Sequence, residues 1–363
     1  MIDTVLLSSA MTTLVKASCH CGRNVFQVAF KTSTLPKSAE MCHCNICRHC
    51  TGNMAVIDPG IVGEPYTVDS TEDNLVPADL SNLKPYTSSS VLKRYFCGTC
   101  SAHMFFCMNN KDYGSTPYWT VMWGVLEKID GILEIKAHMW LSDTLDGGIA
   151  NHLIGPSRHG EWVKKDEESL PLNWRASGEG YKNPDTLPLF CHCRKCSFYL
   201  TRALKPSENP AEYWLVPGKE ATDPIRFITA HCLCNSCRQT SGGQIQTWTI
   251  VPTENVFDAS TNAPIDLIDP KKRPQHLHQY VSSDGKHRES CDTCGASVFW
   301  WRKMKEGETP HMDVATALID EVAAGGARAE SWLSWYPRVI FPEFALSKAT
   351  AEMLMEGVKC VDA

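Results

Sequence analysis

Two tandem, mostly β domains are predicted by three observations. A seven-cysteine pattern is written twice, alternating apolar runs follow each motif, and 21 prolines interrupt any long helical period. The first copy of the pattern is Cys19-x-Cys21, Cys42-x-Cys44-x-x-Cys47 and Cys97-x-x-Cys100. The second is Cys191-x-Cys193, Cys232-x-Cys234-x-x-Cys237 and Cys291-x-x-Cys294. These account for most of the 18 cysteines.

The strand-like runs fall in order. Asn24–Phe30 alternates after Cys21, and Ser101–Met108 is apolar after Cys100. Tyr118–Leu126 and Gly131–Met139 can pair across a turn at Lys128-Ile129-Asp130. The second copy repeats this with Ser197–Thr201, Gln246–Val251, Ser297–Trp301 and Met312–Ile319. Polar stretches at 69–90 and 258–290 read as surface insertions, and a short helix is expected near Ser347–Glu356. Turn formers and charges from about Gly155 to Pro188 mark a linker. The expected division is a first domain at 17–160, a linker at 161–187, a second domain at 188–345 and a tail at 346–363.

Paired thiols at these spacings suit a tetrahedral zinc ion. The rival, a disulfide framework, belongs to small secreted domains. This chain has 363 residues and 43% hydrophobic content, enough for ordinary cores. Met1–Lys16 shows no basic n-region ahead of its Val5-Leu6-Leu7 patch, and no run approaches a membrane span. The expectation is a reducing, soluble, cytoplasmic setting and up to four zinc ions per chain. A net charge of −6, with no basic stripe beyond Lys271-Lys272-Arg273, argues against nucleic acid and leaves a small molecule as the expected partner. Either a monomer or a homodimer is compatible with the duplication.

Seven thiols divide most naturally as four plus three. Cys19, Cys21, Cys97 and Cys100 would close one site, as would Cys191, Cys193, Cys291 and Cys294. Cys42, Cys44 and Cys47, and Cys232, Cys234 and Cys237, would leave a corner for a reactant. His20, His43, His49, His231 or Cys50 could instead fill that corner. Cys196 gives a local Cys193-x-x-Cys196 that could compete for metal. Arg48 and Arg238, next to the third cysteines, could offset negative charge or bond a thiolate. Thr51-Gly52 and Thr240-Ser241-Gly242-Gly243 suit tight turns.

Ser18-Cys19-His20-Cys21-Gly22, Cys42 to Gly52 and Phe96-Cys97-Gly98-Thr99-Cys100 resemble the glutathione-dependent formaldehyde-activating enzyme family, which includes centromere protein V. Phe190-Cys191-His192-Cys193, Cys232 to Gly242 and Cys291-Asp292-Thr293-Cys294-Gly295 repeat the likeness. The resemblance implies a mostly-β domain with two zincs per copy and the three-cysteine zinc at the reactive centre. It implies a carbon–sulfur lyase acting on a glutathione adduct or a carbonyl-bearing small molecule, with glutathione as a candidate co-reactant. The sequence leaves open a zinc-stabilised binding module, or Lewis-acid dehydration, isomerisation or decarboxylation of a non-glutathione substrate. A family strand like Trp123–Glu127 is followed by His138-Met139-Trp140, and the second copy lacks a counterpart of His138.

Overall fold

The computed structural model describes residues 11–109, 116–161, 169–177, 184–204, 212–218, 220 and 222–360. Strand outweighs helix, 37% against 17%, as the prolines and alternating runs predict. Among the described residues, no helix is long and apolar enough to cross a membrane.

In each half, a hairpin carries Cys-x-Cys at its turn. β1 (Thr12–Ser18) and β2 (Val25–Lys31) do so for Cys19 and Cys21, and β11 (Thr186–Phe190) and β12 (Ser197–Thr201) for Cys191 and Cys193. A strand then runs into a seven-residue helix that bears the third cysteine of the trio. These are β3 (Lys37–Cys42) with α1 (Asn45–Thr51), and β14 (Arg226–Cys232) with α2 (Asn235–Ser241). A meander brings in Cys-x-x-Cys between its second and third strands. In the first half it is β5 (Leu83–Thr87), β6 (Leu92–Cys97), β7 (His103–Met108) and β8 (Tyr118–Val121). In the second it is β17 (Leu277–Ser283), β18 (Lys286–Cys291), β19 (Ser297–Arg302) and β20 (His311–Ala315).

The halves differ in how completely their strands join. In the second, β15 (Gln246–Pro252) bonds both β14 and β20 and fuses them into one sheet. The corresponding stretch of the first half makes only single bridges, Cys42 with Val56 and Gly60 with Thr120. Pro59, with no N–H to donate, helps keep that stretch out of a ladder.

The expected pairing of Tyr118–Leu126 with Gly131–Met139 does not form. β8 stops at Val121, and Trp123–Val125 turn as a 3-10 helix against the other half, where Gly124 N donates to Gly242 O at 2.8 Å. β9 (Leu133–Met139) therefore lies parallel on β3. β21 (Leu333–Trp335) takes the same place on β14. The C-terminal segment is no loose tail. α4 (Lys348–Gly357), capped by Ser347, buries Ala351 and Leu354 in the first half's core, and Gly357 lies against His152. The expected linker is described only in part: 162–168 and 178–183 lie outside the described residues, and Ala176 N bonds Leu145 O at 2.9 Å.

The halves meet through reciprocal contacts. His20 Nδ1 bonds the Tyr280 hydroxyl at 2.8 Å, and His192 Nδ1 bonds the Tyr86 hydroxyl at 2.6 Å. His20 N donates to Gln239 O and His192 N to His49 O. Gly52 and Gly242 end α1 and α2 in the left-handed region, at φ 77° and 81°. A Cβ on Gly52 would stand 2.3 Å from Ser297 O, and one on Gly242 2.2 Å from His103 O. Each helix end is thus pressed onto the other half's third meander strand. Gly52→Ala and Gly242→Ala should each cost more than about 2 kcal/mol, adding backbone strain to a backbone collision. Gly131→Ala shares the left-handed φ, at 75°, but meets nothing within 4 Å, and should cost only about 1 kcal/mol. Urea unfolding of the three variants checks the difference.

Candidate metal centres

The fold brings the fourteen cysteines into four groups. Cys19, Cys21, Cys97 and Cys100 form one quartet, and Cys191, Cys193, Cys291 and Cys294 another. Cys42, Cys44 and Cys47, and Cys232, Cys234 and Cys237, form trios. Within each group the sulfurs lie within 4.8 Å of one another.

The spacing separates metal from disulfide. Cys19 and Cys21 sulfurs are 3.5 Å apart, Cys21 and Cys97 3.6 Å, and Cys191–Cys193 and Cys193–Cys291 both 3.4 Å. A disulfide needs about 2.05 Å, and all 18 cysteines are free. Four thiolates about 2.3 Å from one zinc ion stand roughly 3.8 Å apart at tetrahedral angles. The donor set therefore fits a thiolate-loving metal ion.

The two kinds of group have different surroundings. Asn24, itself buried, turns its side-chain amide to Cys97 Sγ at 3.1 Å, and Thr99 N points to the same sulfur. In the trios, Cys44 and Cys234 cap their helices, accepting from Cys47 N and Cys237 N at 3.3 Å. The Cys42 and Cys44 thiols hydrogen-bonded to Cys47, with Arg94 beside it, hold Cys47 well below its ordinary pKa despite burial. Cys232, Cys234 and Arg288 do the same for Cys237.

None of the candidate fourth ligands joins a trio. His43 Nε2 bonds His138 Nδ1 at 2.9 Å, and His138 Nε2 faces Leu153 O at 3.3 Å. His231 is held by His152 and Thr247, His49 by Phe190 O, and His20 by Tyr280. His138 is thus a bonded core histidine, and His152 with His231 forms a second buried pair. Cys50 is buried, and burial pushes its thiol up to about 12. Cys196 lies by the second quartet and points its sulfur at His276 O, 3.3 Å away.

Arg48 and Arg238 are engaged elsewhere. Arg48 is buried and bonds His43 O and Glu321. Arg238 donates to Gly124 O at 2.6 Å and Leu126 O at 3.3 Å across the interface. The arginines that reach the sulfurs are Arg94, with Nη2 3.4 Å from Cys47 Sγ, and Arg288, with Nη2 3.5 Å from Cys237 Sγ. Sequence reasoning missed both. Their signal was the repeat itself, since each stands three residues before a Cys-x-x-Cys.

Each trio opens on a cavity. Cys232, Cys234 and Cys237 line one of about 520 Å³, and Cys42 and Cys47 line one of about 390 Å³. Each cavity is lined by an aspartate, and the first by Glu40 as well. Asp58 follows Cys42 by sixteen residues, where the second copy has Trp248. Asp313 sits opposite Trp300 on β20, where the first copy has Thr120 opposite Phe106. Burial, reinforced by the nearby thiolate of Cys47 or Cys237, pushes Asp58 and Asp313 each up to about 7.

A family profile for the glutathione-dependent formaldehyde-activating enzyme matches residues 14–143 and 219–334. The chain belongs to that family. The matched segments agree with two tandem family copies. The second match starts after Cys191 and Cys193, yet the β11–β12 hairpin returns these to their family place beside Cys291 and Cys294. No curated protein and no solved structure matches the chain.

Cys97→Ser and Cys291→Ser should destabilise the protein by about 3 kcal/mol or more, because a buried cluster loses a ligand. Cys44→Ser and Cys234→Ser should stay folded and each lose one metal equivalent, read by elemental analysis beside thermal melts. For the acids, a folded-state pKa above the unfolded 3.8 means the fold holds extra protons between about pH 4 and 7. Their destabilising contribution therefore grows as pH rises through that window. Asp58→Asn and Asp313→Asn should be more stable than the parent at pH 8.5, by on the order of 2 kcal/mol. Urea titrations should show the gap narrowing toward pH 5.5.

Proposed function

We propose that the chain is a zinc-dependent lyase for small carbonyl compounds and their thiol adducts, with its main reaction centre at the second trio. The observation that carries this reading is the opening of all three sulfurs of Cys232, Cys234 and Cys237 onto one large cavity that also holds Arg288 and Asp313. A volume of about 520 Å³ lies in the range of small-molecule sites.

The trio would hold the ion, and a zinc bound by three thiolates supplies Lewis acidity toward a carbonyl oxygen or a thiol in its fourth position. Asp313, with a pKa near neutrality, suits proton transfer in either direction. In the cleavage direction its carboxylate takes the hydroxyl proton of a hemithioacetal. The carbonyl forms, the carbon–sulfur bond breaks, and the sulfur leaves with the electron pair and is then protonated. Addition runs the same path backward. Arg288 offsets negative charge beside Cys237, and Trp248 Nε1, 3.4 Å from Cys237 Sγ, holds that sulfur from the other side. The fused halves suggest that one chain is the working unit, with a small molecule as its partner.

Glutathione with formaldehyde is the first substrate pair to assay, and uncharged aldehydes with small thiols the second. Asp313→Asn should lower kcat by about 10²–10³ with zinc content unchanged. Cys234→Ser should abolish turnover with the fold retained. Full turnover by Cys234→Ser, or none by the parent on any carbonyl–thiol pair, would overturn the lyase reading.

A further inference from the structure

We propose that the second centre selects a flat aromatic or alicyclic acid rather than glutathione, and that the first centre does not. This names the substrate class for the lyase centre and rests on that reading for its chemistry.

The two cavities occupy the same place in the repeat, so their walls can be compared position by position. Along the strand that enters the trio, alternate residues face the cavity. They are Ser38, Glu40 and Cys42 in the first half, and Ile228, Ala230 and Cys232 in the second. A polar wall has become an apolar one. Beyond the helix, Asp58 is replaced by Trp248, and on the third meander strand Phe106 is replaced by Trp300. Tyr336, Phe341 and Phe344, from the segment after β21, add aromatic surface to the second cavity. Phe341 and Phe344 are half-exposed, at 49% and 47%, where they line its wall. Large aromatic faces left open in a cavity favour a flat apolar occupant.

Charge makes the second distinction. Lys286 and Arg288 are two residues apart on β18, so both side chains fall on the face that lines the cavity. Leu92 takes the place of Lys286 in the first half, where Lys37 lines the cavity with two acids, Glu40 and Asp58, whereas in the second Asp313 is the one acid lining it beside Lys286 and Arg288. Arg288 spends Nη2 on Ser236 Oγ and Cys237 Sγ, while its buried Nε has no partner among the described residues. A lysine and an arginine with spare donor capacity, set among aromatic walls, suit an anionic group on an apolar frame. Glutathione fits this wall poorly. Its two amide groups would meet Ile228, Ala230 and the indoles, and would lose their hydrogen bonds to water without replacement.

The test is calorimetric titration of the zinc-loaded full chain with 2-naphthoate, with uncharged 2-naphthylmethanol, and with glutathione. The parent should bind naphthoate at least about tenfold more tightly than the alcohol. Lys286→Met should weaken naphthoate by about tenfold and leave the alcohol unchanged. Ala230→Glu, which imports the first half's residue, should weaken naphthoate by a similar factor, while Glu40→Ala should leave it unchanged. Zinc content, measured on every variant, separates lost binding from lost fold. Absent naphthoate binding, naphthoate binding indifferent to both Lys286→Met and Ala230→Glu, or glutathione binding lost in Lys286→Met would overturn the proposal. If naphthoate fails to bind while Cys234→Ser still abolishes lyase turnover, the aromatic-acid assignment falls alone. If naphthoate binds as expected and no carbonyl–thiol pair turns over, the lyase reading falls alone.

Discussion

Clustered thiolates repel one another, and burial amplifies that repulsion. Groups of three and four sulfurs within 4.8 Å, mostly inside the protein, could hold a metal ion, which would offset that repulsion. Each quartet joins the chain's earliest hairpin in its half to a knuckle far along the sequence, Cys21 to Cys97 and Cys193 to Cys291. That tie fixes the meander, and the meander carries Arg94 and Arg288 to the trios. The quartets therefore position the trios' surroundings.

The second constraint is the interlock of the halves. Each trio's helix ends in a left-handed glycine with room for no side chain, pressed on a strand from the other copy. Arg238 then caps carbonyls of the first half, and Arg48 reaches Glu321 of the second. The same side chains that stand beside the cysteines in sequence thus serve the interface, and the sites take their arginines from the meanders. Duplication within one chain also freed the two cavities to diverge. Each is lined by an aspartate from a non-equivalent position, Asp58 or Asp313, and the first by Glu40 as well.

Much of this was legible in the sequence. The four-plus-three division of sulfurs follows from motif order, and strands appear within each expected run, though Tyr118–Leu126 is strand only to Val121 and Met312–Ile319 only to Ala315 before each turns as a 3-10 helix. The helix over Ser347–Glu356 is present as α4, though its apolar face docks on the first half, a contact that no local pattern encodes. The pairing across Lys128–Asp130 failed because Gly124 is taken by Gly242 of the other copy. Local alternation does not see such a partner. Arg94 and Arg288 were findable from the repeat, since both precede Cys-x-x-Cys by three residues. Asp58 and Asp313 were not, because they come from non-equivalent positions and reach the trios only in the folded chain, Asp313 on β20 and Asp58 between the Cys42–Val56 and Gly60–Thr120 bridges.

The central claim is that each half cages one ion fully and leaves its neighbour a corner. X-ray absorption at the zinc edge of the metal-loaded chain tests it most directly. The account predicts an average coordination midway between three and four sulfurs per zinc, with lighter atoms completing the shell, and a rise to four sulfurs when a small thiol is added. An all-sulfur, four-coordinate average without added thiol would contradict it.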